Sequence, residues 1–483
     1  MAEQRRSLAH NIQCDPQEHV IHKSKGASSL VYPFRLVVVA LLCGVAHAFA
    51  ATDTLVVLHT NDFHGYISAD GDRAAGLARI AAYFKQERQR NSNVLALDAG
   101  DCVSGTPVST LFQGRPIYEV MTAAGYDASA LGNHEFDYGW REILNYRDLA
   151  DFPLLSANAR DPQGQLIADA ASVQMDVGPL RVGIIGLTTE DTRRITITAG
   201  NEGVSFDGEV SSVRRQVKTL RDEVDLLLLL SHAGHGADSV IAATIDGIDL
   251  IVSGHSHTLL KRPQFVRQTA IVRVGAYTSH LGHVSILRDR DTGDVTVEGF
   301  AIPAAELPAE DPEVAALVAA WEARVSKLVD VSIGHTERSW NKRDMYTLVE
   351  YILQQHAKAD AGFYNEGGIR NLLFEGEITA RHLWNIEPFG NHLAVVRILG
   401  KNVVGQLAWR FKQQGKSIDP ERLYTIATNS FVVEDARRET LVGVTESVEI
   451  ADTLIRDILI DYVRSGAALD TIPTLERRKR QHR

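Results

Sequence analysis

Five short polar motifs carry the side chains that a two-metal hydrolytic site requires. They contain two aspartates, an asparagine and several histidines, whose oxygen and nitrogen atoms are common ligands of divalent cations. In chain order they are Asp62-Phe63-His64, Gly100-Asp101, Gly132-Asn133-His134-Glu135, Ser231-His232-Ala233-Gly234-His235 and Gly254-His255-Ser256-His257. A pair of such cations binds a phosphoryl oxygen and lowers the pKa of water, so hydrolysis of a phosphate ester is the leading hypothesis.

Four of these motifs begin where an apolar run ends. The runs are 54–58 (TLVVL), 94–97 (VLAL), 225–230 (DLLLLL) and 248–252 (IDLIV). Because they are continuously apolar, they predict strands buried on both faces, in a layered α/β architecture. Helices are predicted between them, at 73–90, 115–124 and 209–222. Loops at strand ends converge at one edge of a sheet, where such folds bind ligands, so we expect the motifs to meet there.

The length and composition predict two folded domains. The chain has 483 residues, of which 45% are hydrophobic and 23% are charged; this is ordinary for globular proteins, but the chain is too long for one core. We assign residues 51–302 to the catalytic domain, 303–332 to a helical linker and 333–483 to a smaller α+β domain with a basic tail. The linker contains three prolines followed by EVAALVAAWEARVSKLV, in which apolar residues recur at helical spacing.

Residues 1–50 form a leader segment that differs from the rest of the chain. Its apolar stretch, 36–50, is too short for a membrane span and ends in Ala48-Phe49-Ala50, a pattern typical of signal-peptidase sites. We expect cleavage after Ala50 and a periplasmic or secreted enzyme with no stable membrane insertion; an uncleaved anchor is the alternative. Cleavage leaves Cys102 as the single cysteine, which excludes an intrachain disulfide.

The charge of the chain argues against nucleic acid as a partner. There are 61 acidic and 50 basic residues, which give a formal net charge of −11, whereas duplex binding depends on clustered lysines and arginines. A small anionic substrate remains compatible with this charge because bound cations dominate the local field.

The spacing within the motifs suggests how the ions are held. Asp101 suits a bridging position because the glycine before it lets the backbone turn tightly beside the ions. Asp62 and His64 are two residues apart, so in an extended segment their side chains point to the same side. The same geometry is expected of His255 and His257, although neighbouring loop residues can also diverge toward different ions.

The motif order resembles that of the calcineurin-like metallophosphoesterases, and the forms LHTNDFHG and LGNHEFDYG are similar to the 5′-nucleotidase family within them. The resemblance is strong over residues 54–300 and thinner over 333–435. It implies a β-sandwich flanked by helices, a C-terminal substrate-binding domain and two divalent ions, zinc or manganese. One ion would be held by Asp62, His64, Asp101 and His257, and the other by Asp101, Asn133, His232 and His255.

The same resemblance assigns a catalytic pair. His134 would lie beside the phosphate, where it stabilises the transition state or protonates the leaving oxygen, and Asp137 would orient its imidazole. The chemistry supports these roles because an alkoxide leaving group benefits from a nearby acid, and a carboxylate raises the pKa of an imidazole. His235 and Asp238 are expected to support the ligands rather than to bind the ions.

The substrate slot is implied by two segments of the C-terminal domain. Residues 364–370 (YNEGGIR) resemble the family's N-G-G-G-I-R loop, which implies that Asn365 and Arg370 bind ribose and phosphate or carboxylate groups. Residues 388–391 match its P-F-G-N segment, which implies that Phe389 stacks on the base. Phe431 would supply the second face. The family's glycine-rich loop is replaced after Phe431 by VVEDA, a departure that concerns base specificity and not hydrolysis.

These observations predict an exported, metal-dependent phosphoric ester hydrolase whose substrate is a small-molecule ester, foremost a nucleotide. The first hypothesis is a 5′-nucleotidase, which converts a nucleoside monophosphate to nucleoside and phosphate, or a related cyclic-nucleotide or nucleotide-sugar phosphohydrolase. A thiosulfohydrolase-like enzyme of sulfur oxidation on the same scaffold is one alternative. An exported nucleotide-binding protein with a vestigial site is the other. The sequence leaves the oligomeric state open.

Overall fold

Two β-sheets packed face to face form the centre of the first part of the chain. The computed structural model describes residues 52–196, 198–365, 367–413, 416–434 and 442–472. The leader with its predicted cleavage site and the basic tail lie outside the described residues.

The strands are β1 (Thr52–Thr60), β2 (Val94–Asp98), β3 (Ala128–Ala130), β4 (Leu154–Leu155), β5 (Ala159–Arg160), β6 (Ser172–Val177), β7 (Leu180–Thr188), β8 (Ser205–Phe206), β9 (Leu226–His232), β10 (Leu250–Ser253), β11 (Gln264–Val266), β12 (Thr269–Val272), β13 (His280–Asp289), β14 (Val295–Pro303), β15 (Ser332–Thr336), β16 (Ala361–Gly362), β17 (Gly376–Thr379), β18 (His392–Leu399), β19 (Leu423–Asn429) and β20 (Ser447–Leu454). The α-helices are α1 (Gly76–Arg90), α2 (Pro107–Leu111), α3 (Arg115–Ala124), α4 (Glu142–Leu149), α5 (Thr192–Ile195), α6 (Glu209–Leu220), α7 (His235–Thr244), α8 (Pro312–Val329), α9 (Lys342–Ala357), α10 (Ala380–Ile386), α11 (Gly405–Gln413), α12 (Ser430–Val433) and α13 (Ile455–Arg464).

Both sheets are mixed: the first has antiparallel strands at one end only, and the second has one antiparallel strand at each edge. The first runs in the order β14-β13-β1-β2-β3-β4 and the second in the order β11-β12-β10-β9-β7-β6. Strands β1 to β4 pair in parallel, as do β7, β9, β10 and β12. Strands β13 and β14 extend the first sheet in antiparallel fashion. The parallel strands therefore end on the same side, which brings their loops together.

Strand β1 shows why its sequence is continuously apolar. Leu55 and Val57 face the second sheet and belong to the core between the sheets. Val56 and Leu58 face the other way and pack in the cluster that contains α1 and α3. On the far side, α6 and α7 cover the second sheet. The predicted layered α/β domain, a β-sandwich flanked by helices, is thereby confirmed.

The C-terminal part is a smaller α+β unit, as predicted. Its sheet has the order β16-β19-β18-β20, with α9 and α13 packed in one apolar cluster and α11 in another. Helix α8 lies within the predicted linker and is capped by Asp311, whose carboxylate accepts the backbone N–H groups of Glu313 and Val314. Its valines pack into the cluster of α1 and α3. The domain boundaries at 302 and 332 remain predictions.

Within the described residues, no helix combines the length and the apolar character needed to cross a membrane.

Candidate active site

The predicted ligand residues come together at the carboxyl ends of strands from both sheets. Asp62 and Asp101 follow β1 and β2 of the first sheet, whereas His232 ends β9 and His255 follows β10 of the second. The sequence led us to expect one edge of one sheet. The structure instead uses the facing rims of two sheets, because the two halves of the sandwich each contribute parallel strands that end on this side.

Four side chains form a first group of donor atoms. The donor atoms of Asp62, His64, Asp101 and His257 all lie within 4.8 Å of one another. The Nε2 atoms of His64 and His257 are 2.9 Å apart, and His257 Nε2 lies 3.4 Å from Asp62 Oδ1. Two imidazoles and two carboxylates at this spacing could hold a divalent cation.

A second group shares one carboxylate with the first. Donor atoms of Asp101, His232 and His255 also lie within 4.8 Å of one another, with His232 Nε2 3.0 Å from Asp101 Oδ2. Asn133 lies beside this group, and within the part of the chain that the structure describes its buried Oδ1 has no hydrogen-bond partner. A buried amide oxygen without a partner is costly unless a donor or a cation reaches it. Asp101 is therefore placed to bridge two ions, and the residues present fit the divalent metals that this chemistry needs.

The ligand loops are not extended, which corrects one expectation. Asp62, His64, Asp101, His255 and His257 have φ angles of 51°, 49°, 58°, 71° and 51°, in the left-handed region that non-glycine residues rarely adopt. The D-x-H and H-x-H side chains therefore converge through tight turns rather than through the alternation of a strand. Such backbone conformations cost free energy, and they persist where the surrounding structure imposes them, often at functional sites.

Two glycines allow the loops to approach each other. A Cβ atom at Gly100 would lie 2.6 Å from the backbone nitrogen of Gly132, and one at Gly132 would lie 2.3 Å from Asp101 Oδ1. Either contact is shorter than any side chain tolerates, so the turn beside Asp101 requires glycine on both loops.

Hydrogen bonds orient the ligands from behind. The Nδ1 of His232 lies 2.7 Å from the carbonyl oxygen of Ala99; as the donor of that bond it leaves the Nε2 lone pair directed at Asp101 and the shared site. The Asp62 carboxylate accepts the Asn61 amide at 2.7 Å and the backbone N–H of His255 at 2.9 Å. The loops of the two sheets are thus tied directly to each other.

Glu135 holds the Asp101 loop, a role that the sequence reasoning missed. Its buried carboxylate accepts the backbone N–H groups of Asp101, Cys102 and Gly132 at 3.1, 2.8 and 2.6 Å. Burial, with a further contribution from the charge of Asp101, raises the pKa of Glu135 to about 7. Its place in Gly132-Asn133-His134-Glu135 was visible, but nothing in the sequence showed which backbone groups it would accept.

His134 and Asp137 form the hydrogen-bonded pair that was expected. The Nδ1 of His134 lies 2.6 Å from Asp137 Oδ2, and Ser104 Oγ donates to the same oxygen at 2.6 Å. Burial lowers the pKa of His134, but the charges of Asp137 and Asp101 outweigh it and the pKa lies above its ordinary value. With Nδ1 engaged, Nε2 faces the ligands and lies 3.9 Å from Asp101 Oδ2.

The four predicted substrate residues line one cavity with the ligand groups. This cavity of about 280 Å³ is lined by Asn365, Arg370, Phe389 and Phe431, by His134 and Asp137, and by four of the predicted ligands, Asp101, Asn133, His255 and His257. The Phe389 ring stacks on the His134 imidazole, with centroids 5.6 Å apart and planes inclined by 18°. Arg370 Nη2 lies 3.0 Å from His64 Nε2. Asn365 Oδ1 accepts the Asn429 amide at 2.8 Å.

Two lining residues carried no signal in the sequence, Ile195 and Thr196 at the end of α5. Asn391, the last residue of the P-F-G-N segment, also lines the cavity. Small apolar and hydroxyl side chains are too common for their type to mark a site. Part of the altered loop after Phe431, residues 435–441, lies outside the described residues.

His235, Asp238 and Cys102 lie outside the two donor groups. Asp238 is fully buried and accepts the hydroxyl groups of Ser231 and Ser253, which stand next to the ligand loops, so it is placed for the supporting role that was expected. The backbone N–H of His235 donates to Ser256 Oγ at 2.9 Å. The Cys102 thiol is buried and donates to Asp98 Oδ1 at 3.0 Å.

Comparisons with known proteins agree with this geometry. The calcineurin-like phosphoesterase family matches residues 55–259, and the C-terminal domain of the 5′-nucleotidases matches residues 325–410. The chain is 29% identical to the snake venom 5′-nucleotidase of Gloydius brevicauda over 428 residues, which are 76% of this chain and 72% of that protein.

Two solved structures share the fold over most of the chain. The 5′-nucleotidase precursor of Thermus thermophilus superposes with a TM-score of 0.76 at 25% identity, covering 86% of this chain and 96% of that one. The sulfate thiohydrolase SoxB of the same species superposes with a TM-score of 0.73 at 19% identity, covering 85% and 94%, which shows the fold alone. Because both domains are matched in the expected order, the chain belongs to the 5′-nucleotidase family of calcineurin-like phosphoesterases and is a metal-dependent phosphoric ester hydrolase.

Proposed function

We propose that the enzyme hydrolyses nucleoside 5′-monophosphates to nucleoside and phosphate with two divalent cations. One observation carries the proposal: a single cavity joins the two donor groups around Asp101 to the aromatic side chains of Phe389 and Phe431. A phosphate at the donor groups and a planar base between aromatic rings are the two ends of a nucleotide. Relatives named 5′-nucleotidase support the same substrate class.

The seven predicted ligands would hold the ions in two sets that share one carboxylate. The first set is Asp62, His64, Asp101 and His257, and the second is Asp101, Asn133, His232 and His255. When bound, the ions polarise the phosphoryl group and lower the pKa of water. The family resemblance points to zinc or manganese, and a ligand set of imidazole, carboxylate and amide oxygen accepts either metal.

His134 would protonate the leaving 5′ oxygen of the nucleoside. Asp137 holds the imidazole by Nδ1, so that the proton to be transferred is carried on Nε2, the nitrogen that faces the donor groups. The Asp137 carboxylate beside the ring favours the protonated imidazole, which both donates the proton and stabilises negative charge on the phosphoryl oxygens. The hydrogen bond from Ser104 to Asp137 in turn fixes the carboxylate that orients the ring.

The C-terminal side chains would bind the rest of the substrate. Arg370 lies beside the first donor group and presents several N–H donors to phosphate oxygens. Asn365 lines the cavity, and its amide would bind hydroxyl groups of the ribose. Phe389 and Phe431 would stack on the base. This stacking would both bind the leaving nucleoside and exclude water from it.

The alternatives are separable by substrate. A thiosulfohydrolase reading has the fold of SoxB in its favour, but the two aromatic rings of the cavity favour a base. A binding protein with a vestigial site would not need two complete donor groups.

The test is a hydrolysis panel in which phosphate, nucleotide and sulfate products are each measured. Mononucleotides, cyclic nucleotides, nucleotide sugars, glycerol phosphate and a carrier thiosulfonate are assayed with Mn²⁺ and with Zn²⁺. We expect the highest kcat/KM with a nucleoside 5′-monophosphate, and loss of activity in Asp101→Asn. Preference for the thiosulfonate, or turnover of none of the esters, would refute the proposal.

We also propose that the leader 1–50 exports the enzyme. The apolar stretch and the Ala48-Phe49-Ala50 pattern support cleavage. N-terminal sequencing of the mature protein should return Ala51 as the first residue, and recovery of Met1 would contradict it.

A further inference from the structure

The turn that follows α10 presents two side chains to the substrate cavity. It comprises Glu387 to Asn391, and both Phe389 and Asn391 line the cavity. The turn lies between α10 and β18, outside any regular hydrogen-bonded element, and Gly390 within it has a φ of 68°. Other parts of the fold must therefore hold it in place.

Glu387 fastens the turn at its first residue. Its carboxylate is 1% exposed, and Oε1 accepts the Asn391 amide at 2.6 Å and the Tyr364 hydroxyl at 3.2 Å. The other oxygen, Oε2, is buried and has no direct hydrogen-bond partner among the described residues. A buried carboxylate needs a compensating charge or donor on each oxygen.

Arg456 is the positive charge that faces this carboxylate. It lies in the first turn of α13 and is 5% exposed, and its guanidinium carbon lies 3.5 Å from the centre of the Trp384 ring, on the helix that leads into the turn. Its Nε lies 4.0 Å from Asp457 Oδ1, and among the described residues neither Nε nor Nη1 has a hydrogen-bond partner. Arg456 and Glu387 interact electrostatically, each shifting the pKa of the other toward the charged form against the effect of burial.

The junction of β20 and α13 also holds the far end of the turn. The backbone N–H of Ile455, next to Arg456, donates to the carbonyl oxygen of Asn391 at 2.9 Å. The same short segment thus contacts the turn at Asn391 by hydrogen bonding and at Glu387 by charge.

We propose that Arg456 and Glu387 together fix the turn 387–391 and so determine the affinity for the nucleoside part of the substrate. Glu387 acts through its hydrogen bond to Asn391, and Arg456 acts through its packing on Trp384 and its charge. Both residues act through Phe389 and Asn391 and are positioning residues. The proposal rests on the proposed function, because it needs a substrate with a base.

The test compares two substrates in four variants. Arg456→Met, Glu387→Gln and the double variant are assayed beside Arg464→Met, a control on the same helix whose partner is Asp461 on the surface. The substrates are a nucleoside 5′-monophosphate and glycerol phosphate, which lacks a base. In both single variants we expect the nucleotide KM to rise about 5- to 20-fold, part of the stacking energy of one base, with kcat within about 2-fold.

The remaining outcomes are distinct. The glycerol phosphate parameters and the control should stay unchanged, and the double variant should add little to either single change. Because Gln keeps the shape of Glu, Glu387→Gln keeps the proposal testable if Arg456→Met fails to fold. An unchanged nucleotide KM, or an equal loss on both substrates, overturns the proposal. Wild-type turnover of glycerol phosphate without turnover of any mononucleotide would instead overturn the proposed function, and this inference with it.

Discussion

Replacing Glu135 by glutamine tests whether one buried carboxylate holds the shared ligand in place. Glutamine keeps one carbonyl oxygen but brings an amide N–H₂ to the other position. If the glutamine oxygen accepts the backbone N–H groups of Asp101 and Gly132, the glutamine N–H₂ group faces the backbone N–H of Cys102. In the wild-type protein that nitrogen lies 2.8 Å from a carboxylate oxygen of Glu135. One charge-assisted hydrogen bond is lost and one donor is left unsatisfied, each worth about 1–3 kcal/mol.

The expected loss is roughly 2–4 kcal/mol in the unfolding free energy of the metal-free protein, measured by denaturant titration. Since Asp101 belongs to both donor groups, the affinity for Mn²⁺ should fall at both sites, by about 10- to 100-fold in calorimetric titration. Glu142→Gln is the control, because it weakens an ion pair with the half-exposed Arg115, and such pairs are worth about 1 kcal/mol or less. If Glu135→Gln matches this control in stability and metal affinity, the carboxylate does not organise the loop.

Four further outcomes are expected. His134→Ala should lower kcat by roughly 10²–10⁴-fold with metal content unchanged by elemental analysis; an unaltered kcat would remove His134 from the mechanism. Phe431→Ala should raise the nucleotide KM by about 5- to 150-fold, the value of 1–3 kcal/mol of base stacking, and an unchanged KM would place the base elsewhere. Burial lowers the pKa of His59 to about 3 from 6.5, so stability is lost as the pH falls below 6.5, by up to about 1.4 kcal/mol per pH unit; His59→Leu should flatten thermal melting between pH 6.5 and 4, and parallel curves would contradict this. Removal of metal by a chelator should abolish phosphate release until Mn²⁺ or Zn²⁺ is restored, and full activity of the stripped protein would refute the metal requirement.

The sequence predicted the elements well where their apolar pattern was unambiguous. The helix expected at 115–124 is α3, Arg115–Ala124, and the run at 94–97 is β2, Val94–Asp98. Because the parallel strands such as β2 are buried on both faces, their continuously apolar composition is enough to identify them as strands. The antiparallel edges β13 and β14 were not predicted, since half-exposed strands carry a weaker pattern.

The site was predictable in its members but not in its geometry. Residue type and order singled out Asp62, Asp101 and His257, because few side chains bind divalent cations. The left-handed backbone at these residues was hidden, since it is imposed by loops that approach each other from distant parts of the chain. Glu135 and Arg456 escaped notice for the same reason: their roles lie in backbone groups and buried charges that only the tertiary structure brings near.

The division of the ligands between two facing sheets links the chemistry to the packing between them. Asp101 is anchored to one sheet and His232 to the other, and the gap between those anchors is filled by an apolar layer that contains Leu97, Leu228 and Leu230. A change of side-chain volume in that layer would shift one rim against the other and alter the spacing of the donor groups without touching any polar atom. Engineering of this enzyme should therefore treat the interior between the sheets as a determinant of the distance between its two donor groups.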